Sequence, residues 1–181
     1  MDHSLDTTIA LLRRTPPTLT ALLGNLPEAW TQTNEGPDTW TVSDVVAHLI
    51  HCERTDWMPR ARHILAHGQS RPFPPFDRFG HVRESEGKTL PQLLQAFAHI
   101  REVNLSDLVD LHLQPADFER LGTHPALGPV TLAQLLAAWA AHDLTHLHQL
   151  SRILAHQLQQ AVGPFQRFLG VMQCTGHSAP A

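Results

Sequence analysis

The sequence has few of the features that mark nucleic-acid-binding or membrane proteins. Tyrosine is absent, Lys88 is the only lysine, and the formal net charge of the 181 residues is -4. This balance gives no indication of a surface for nucleic acid or for an anionic membrane. The longest weakly polar run covers only residues 132 to 141, whereas a membrane-spanning helix needs about 20 apolar residues. We therefore expect neither a nucleic-acid nor a membrane partner.

Cysteine is also scarce. Cys52 and Cys174 are too few for a disulfide framework, and neither belongs to a CxxC pair. The first residues include acidic side chains where a secretory signal needs basic ones, and the apolar run that follows is short. These observations predict a soluble cytoplasmic protein.

Histidine, in contrast, is abundant, with 14 residues against 13 lysines and arginines together. Residues 130 to 158 read as a helix, and His142 and His146 lie on its buried seam, four residues apart on one face. Because an unpaired buried polar group costs ~1–3 kcal/mol, each imidazole needs a hydrogen-bond partner or a metal. The seam is recognised by residues that recur at steps of three and four, namely Leu132, Leu135, Trp139, His142, His146, Leu150 and Ile153.

Two interpretations of this histidine pair are open. The first is a transition-metal site whose remaining ligand comes from a neighbouring helix. The alternative is a pair of core histidines that are hydrogen-bonded to Asp143, Thr145 or backbone carbonyls. Asp143 itself either orients an imidazole or is a solvated carboxylate.

The third ligand is predicted to be His48, on a helix that spans residues 41 to about 67. Thr41 and Asp44 resemble a capping box at its start, and Pro59 should kink or interrupt it. His48 lies at the edge of the apolar face of this helix. That face is formed by Val42, Val45, Val46, Leu49 and Cys52. Three neutral imidazoles leave coordination positions for water or substrate, which is typical of a catalytic zinc site.

Three neighbours of His48 are further candidates. Cys52, one turn later, could replace or join His48 as a ligand, although a lone buried cysteine is more often an inert small hydrophobe. Glu53 and Asp56 fall on the inner side of the helix, where either could act as a general base or hold another group in place. The ordinary alternative for both carboxylates is a salt bridge with an arginine. His51 is expected to point away from the site.

Residues 68 to 89 form a long connection without a helical period, and connections of this length are usually functional or disordered. Its side chains, together with one arginine of the next helix, are candidates for a substrate-pocket wall or lid. The alternative is that the loop merely covers the end of the molecule. The residues concerned are Arg71, Phe73, Phe76, Phe79 and Arg101.

The pattern of helices predicts an all-α fold. Four principal helices are separated by connections rich in proline and glycine, and no convincing run of alternating β-branched residues is present. We predict a four-helix bundle with a short extra C-terminal helix at about residues 164 to 172. Residues 1–174 should form a single domain, and residues 175–181 a flexible tail.

Two stretches carry a family resemblance. WTVSDVVAHLIHCE and, much later, HPALGPVTLAQLLAAWAAHDLTHLHQLSRI resemble the DinB/YfiT-like superfamily, whose members are regarded as metal-dependent enzymes. The resemblance covers nearly the whole chain, and the three histidines of its motif are kept. It implies a four-helix bundle in which His48, His142 and His146 bind a divalent metal, commonly nickel or zinc, often in a homodimer.

The same resemblance implies an enzyme that acts on a small-molecule substrate, and it leaves three functions open. The first, which we take as the default, is a hydrolase that uses metal-activated water. The second is an S-transferase that uses a low-molecular-weight thiol such as bacillithiol or mycothiol. The third is a non-catalytic bundle that binds a metal or a small molecule.

Overall fold

The computed structural model describes residues 4–174, which are mainly helical. The predicted flexible tail, residues 175–181, lies outside the described residues. Three short 3₁₀ turns occur at Gly68–Ser70, Pro115–Glu119 and Gly163–Phe168. The remaining elements are α1 (Leu5–Leu12), α2 (Thr15–Leu23), α3 (Glu28–Thr31), α4 (Val42–Thr55), α5 (Trp57–His67), α6 (Gly80–Ser85), α7 (Leu90–Asp110), β1 (Leu121–His124), β2 (Gly128–Thr131), α8 (Leu132–His156) and α9 (Gly170–Gln173).

The predicted four-helix bundle is confirmed, with two of its four arms broken into consecutive helices. The arms are α1 with α2, α4 with α5, α7, and α8. Helix α4 packs against α7 and α8, α1 and α5 pack against α8, and α2 packs against α7. Two apolar clusters fill the interior, one around Met58 and Trp139 and the other around Val46 and Phe97.

Capping boxes fix the starts of the two helices that carry the candidate ligands. The Thr41 side chain accepts a hydrogen bond from the backbone N–H of Asp44, whose carboxylate accepts one from the N–H of Thr41. Thr131 and Gln134 form the same arrangement at α8. Each cap stabilises its helix by about 1 kcal/mol and sets the first residue of the helical register.

The interruption of the second arm lies one turn earlier than the position we predicted from Pro59. Helix α4 ends at Thr55, Asp56 has φ -111° and ψ -71°, and α5 begins at Trp57. The reason is that a proline ring clashes with the carbonyl four residues before it, which here belongs to Thr55. Asp56 and Trp57 are consequently buried at the junction of two helices.

The expectation that the chain lacks strands is wrong in one place. Strands β1 and β2 form an antiparallel hairpin, in which Gly122 pairs with Val130. A Cβ atom at Gly122 would lie 2.7 Å from Ile64 and 2.8 Å from Phe73, so the close approach of the hairpin requires glycine. Strands of four residues that contain glycine and proline have no alternating pattern from which they could be predicted.

The connection from residue 68 to 89 is also more ordered than its sequence suggests, because it contains α6, which packs on α4. A Cβ atom at Gly80, the first residue of α6, would lie 2.0 Å from the ring of His51. His51, which we expected to point away, is therefore buried beneath α6.

The extra C-terminal helix is shorter than predicted and is divided into the 3₁₀ turn Gly163–Phe168 and helix α9. Among the helices of residues 4–174, none combines the length and apolar character that crossing a membrane requires.

Candidate metal centre

Three histidines from two helices converge at one point inside the bundle. His48 comes from α4, and His142 and His146 come from α8. The Nε2 atom of His142 lies 3.1 Å from Nε2 of His48 and 3.1 Å from Nε2 of His146. One ring nitrogen from each residue lies within 4.8 Å of those of the other two. The structure thus brings together the three residues that the sequence singled out.

The buried environment keeps two of these imidazoles uncharged. Burial, with added repulsion from His146, lowers the pKa of His48 to about 3. Burial lowers the pKa of His142 to about 2, and repulsion from His146 and His48 acts in the same direction. At neutral pH both rings are therefore uncharged, with one ring nitrogen free of a proton, which is the form that binds a metal.

The arrangement fits a divalent transition metal. Two nitrogens bound to zinc at ~2.0–2.1 Å, with about 100° between the bonds, are ~3.1 Å apart. The distances from Nε2 of His142 to Nε2 of His48 and of His146 are both 3.1 Å. Neutral imidazoles suit zinc, nickel, iron and copper. Distances and donor type therefore agree with one ion held by all three rings.

Gln149 fixes the orientation of His146. The Nδ1–H of His146 donates to Oε1 of Gln149 at 2.7 Å, and both side chains are buried. With its proton on Nδ1, the ring presents an unprotonated Nε2 to the other two histidines. Our sequence analysis missed this residue, although an acceptor three positions after a helical histidine is within reach of its side chain.

Replacement Gln149→Leu should weaken metal binding by about 10- to 100-fold, because it removes the acceptor that holds the His146 ring. Gln149→Glu keeps an acceptor and should retain the affinity of the wild type. Competition with a chelator of known affinity measures both variants. Equal affinity of the leucine variant and the wild type would show that this hydrogen bond does not matter for the site.

An aromatic wall covers two of the three rings. The ring centroid of Trp40 lies 4.9 Å from that of His48 and 6.3 Å from that of His146. Phe76, from the connection before α6, meets His48 edge-on at 6.0 Å. His81 of α6 packs on Trp40 at 4.7 Å. Residues that precede α4 and α7 therefore cover His48 and His146, whereas His142 is half-buried.

The residues that we considered for a pocket wall lie in different environments. Phe76 contacts the centre, whereas Phe73 is buried in the core and Phe79 is 74% exposed. The backbone carbonyl of Arg71 accepts a hydrogen bond from His63. Arg101 is buried inside the bundle, where it forms ion pairs with Glu53 and Asp143.

Arg101 is the centre of a buried polar network that sequence reasoning missed. Its guanidinium donates to both carboxylate oxygens of Asp143, at 2.6 and 2.9 Å, and to Glu53 at 2.8 Å. It also donates to the backbone carbonyl of Leu12, and Thr15 donates to Asp143. Asp143 is therefore neither solvated nor paired with a histidine. The network joins all four arms of the bundle and includes the residue next to His142.

Both candidate carboxylates are paired with arginines. Glu53 accepts hydrogen bonds from Arg101, from Nε1 of Trp139 and from the amide of Asn104, all at 2.8–2.9 Å. Asp56 forms an ion pair with Arg60. Burial raises the pKa of Asp56, while Arg60 opposes that shift. The arginine pairing that we considered as the alternative is thus present for both residues.

Cys52 lies beside the centre, with its Sγ atom 3.4 Å from Nε2 of His48. Burial and the nearby Asp56 raise the pKa of this thiol, so it stays protonated at neutral pH. The group of mutually close ligand atoms found in residues 4–174 consists of the three histidines without Cys52.

Comparison with solved structures places this fold among known four-helix bundles. YfiT from Bacillus subtilis, described as a probable metal-dependent hydrolase with an unusual four-helix bundle topology, superposes with a TM-score of 0.72. It is 18% identical, and the match covers 89% of this chain and 91% of YfiT. The four-helix bundle protein TT2238 superposes with a TM-score of 0.53 at 18% identity, covering 87% of this chain and 99% of that one. At this identity, both matches show the fold alone.

Family membership rests on the sequence. No curated protein matches the sequence. The family model described as the DinB superfamily matches residues 11–150, a range that includes His48, His142 and His146. Since this match covers most of the 181 residues, the chain belongs to the DinB superfamily.

Proposed function

We propose that this protein is a metal-dependent hydrolase in which His48, His142 and His146 hold one divalent transition metal, nickel or zinc. The observation that carries the proposal is the convergence of three imidazole nitrogens, within 4.8 Å of one another, from two helices. The low pKa values of His48 and His142 support it, because no proton competes with a metal at neutral pH. The description of YfiT as a probable metal-dependent hydrolase supports the choice of reaction class.

A site with three protein ligands has coordination positions left for water and substrate, and a divalent metal there supplies Lewis acidity and lowers the pKa of a bound water. Aromatic residues of the chain shape the surroundings of the metal. Trp40 and Phe76 cover His48, and the lower dielectric beside these aromatic rings strengthens charge interactions there.

The two carboxylates are assigned different roles in this proposal. Both oxygens of Glu53 accept hydrogen bonds from buried donors, so Glu53 is assigned a positioning role on α4. Asp56 remains the candidate general base, because burial raises the pKa of its carboxyl above the usual range, which makes it a stronger proton acceptor than an ordinary carboxylate. We extend the proposal to a cytoplasmic homodimer acting on a small molecule, as the sequence resemblance implies.

The reaction class can be tested with protein loaded separately with nickel and zinc. We expect cleavage of members of an ester and amide panel without added thiol, and loss of that cleavage with a chelator and in His142→Ala. The same preparations are incubated with bacillithiol and monochlorobimane. Turnover that depends on the thiol would replace the hydrolase assignment by an S-transferase. Full metal loading without turnover in either assay would favour a binding bundle.

A further inference from the structure

Trp57 is a buried tryptophan beside the candidate metal centre. Its indole N–H forms no hydrogen bond within residues 4–174. Its indole is 6% exposed, and its ring meets that of His142 at a centroid distance of 5.1 Å and an angle of 67°. Among the described residues, its Nε1–H has no hydrogen-bond acceptor. Buried tryptophan N–H groups usually have a partner, so this one calls for an explanation.

A second tryptophan, Trp139, stacks on Trp57 and uses its indole N–H in a hydrogen bond. Trp139 lies parallel to Trp57, with ring centroids 6.1 Å apart and an angle of 9°. The Nε1–H of Trp139 donates to Glu53 at 2.8 Å. The interior therefore supplies an acceptor for one indole of the pair and not for the other.

The ring of His142, which contacts Trp57, has a second buried nitrogen of this kind. Nδ1 of His142 is also buried, and it has no hydrogen-bond partner in the described part of the chain. When Nε2 of an imidazole is used as a ligand, Nδ1 carries the proton and is a donor. The Nδ1–H of such an imidazole points away from the metal, so the unpaired donor that is left for a molecule at the centre is the N–H of Trp57, whose ring contacts that of His142.

We propose that Trp57 is a substrate-binding residue whose indole N–H donates a hydrogen bond to an oxygen of the molecule held at the metal centre. The substrate class is accordingly one with an acceptor oxygen, a carbonyl or a carboxylate. This inference rests on the proposed metal-dependent function. It gives Trp57 a role in binding the substrate and no role in binding the metal.

The test uses protein loaded with Co²⁺, whose visible absorption reports ligand binding, and acetohydroxamate as the probe. Trp57→Phe keeps an aromatic ring and removes the N–H. We expect unchanged cobalt stoichiometry and an acetohydroxamate affinity about tenfold lower than that of the wild type. The matched control is Trp139→Phe, which removes the paired N–H. It should lower the melting temperature and leave the probe affinity within about twofold of the wild type.

Should Trp57→Phe fail to fold, β-(3-benzothienyl)alanine at position 57 replaces the N–H by sulfur in a side chain of nearly the same shape, and the same affinity loss is expected. Unchanged probe affinity in the variant that folds, an equal loss in Trp139→Phe, or no binding of the probe to the cobalt-loaded wild type would each overturn the inference. Absence of cobalt binding in the wild type would overturn the proposed function and this inference with it.

Discussion

Replacing either His142 or His146 by alanine should reduce the metal content of the purified protein from about one ion per chain to nearly none. The nitrogens of the three rings are spaced to bind one ion. The two rings that remain in either variant provide too few ligands to retain it. Each variant keeps only one imidazole from α8 beside that of His48. Metal content is measured by inductively coupled plasma mass spectrometry after dialysis against metal-free buffer.

Two neighbouring histidines provide matched controls, one on each ligand helix. His148→Ala alters an exposed residue two positions after His146, and His51→Ala alters the residue that packs beneath α6. Both variants should retain their metal. Full metal content in His142→Ala or His146→Ala would remove the basis of the enzyme proposal, and loss of metal in a control would mean that a different set of rings binds the ion.

Replacing Arg101 by methionine should destabilise the protein by ~3–5 kcal/mol, because breaking a buried ion pair leaves its partners charged and unpaired. Two carboxylates, those of Glu53 and Asp143, would lose their cation together, with side-chain exposures of 0% and 3%. A loss of this size is a large part of the ~5–15 kcal/mol by which native domains are stable. Urea unfolding followed by circular dichroism measures the change.

The control is Arg62→Met. Arg62 pairs with Asp107 on the surface, where side-chain exposures are 54% and 37%. An exposed pair contributes ~0–1 kcal/mol, so the free energy of unfolding should change little. Similar losses in the two variants would show that the Arg101 network is not a principal source of stability. Arg101→Lys should recover only part of the loss, since lysine cannot form the two parallel bonds that Arg101 forms with Asp143.

The three candidate ligand histidines could be predicted from the sequence because they lie on regular helices. On α4 and α8 the helical period fixes which residues share a face, and an imidazole in an apolar seam is conspicuous there. The period also placed Glu53 on the inner side of α4, but it could not show which residue Glu53 meets. That partner, Arg101, is 48 residues away in the sequence and depends on how α4 and α7 pack.

Contacts with short or distant segments also explain why the burial of His51 and the β-hairpin were not predicted. His51 is buried by Gly80, and its burial depends on a connection whose sequence has no period. The hairpin from Leu121 to Thr131 is held by close packing of Gly122 on Ile64 and Phe73, which is a tertiary contact. Local pattern therefore identified the residues that point inward on long helices. It could not identify partners supplied by short or distant segments.

The contact between Gly80 and His51 has a consequence for how the chain can vary. The segment that carries Phe76 and His81 packs closely on α4 at residue 80, which is a glycine and has no side chain beyond hydrogen. Even one added methyl group would push this segment outward and move the cover of the candidate centre with it. The close fit of this segment over the candidate centre thus depends on a glycine that is not one of the three histidines, so the cover can change while all three rings stay in place.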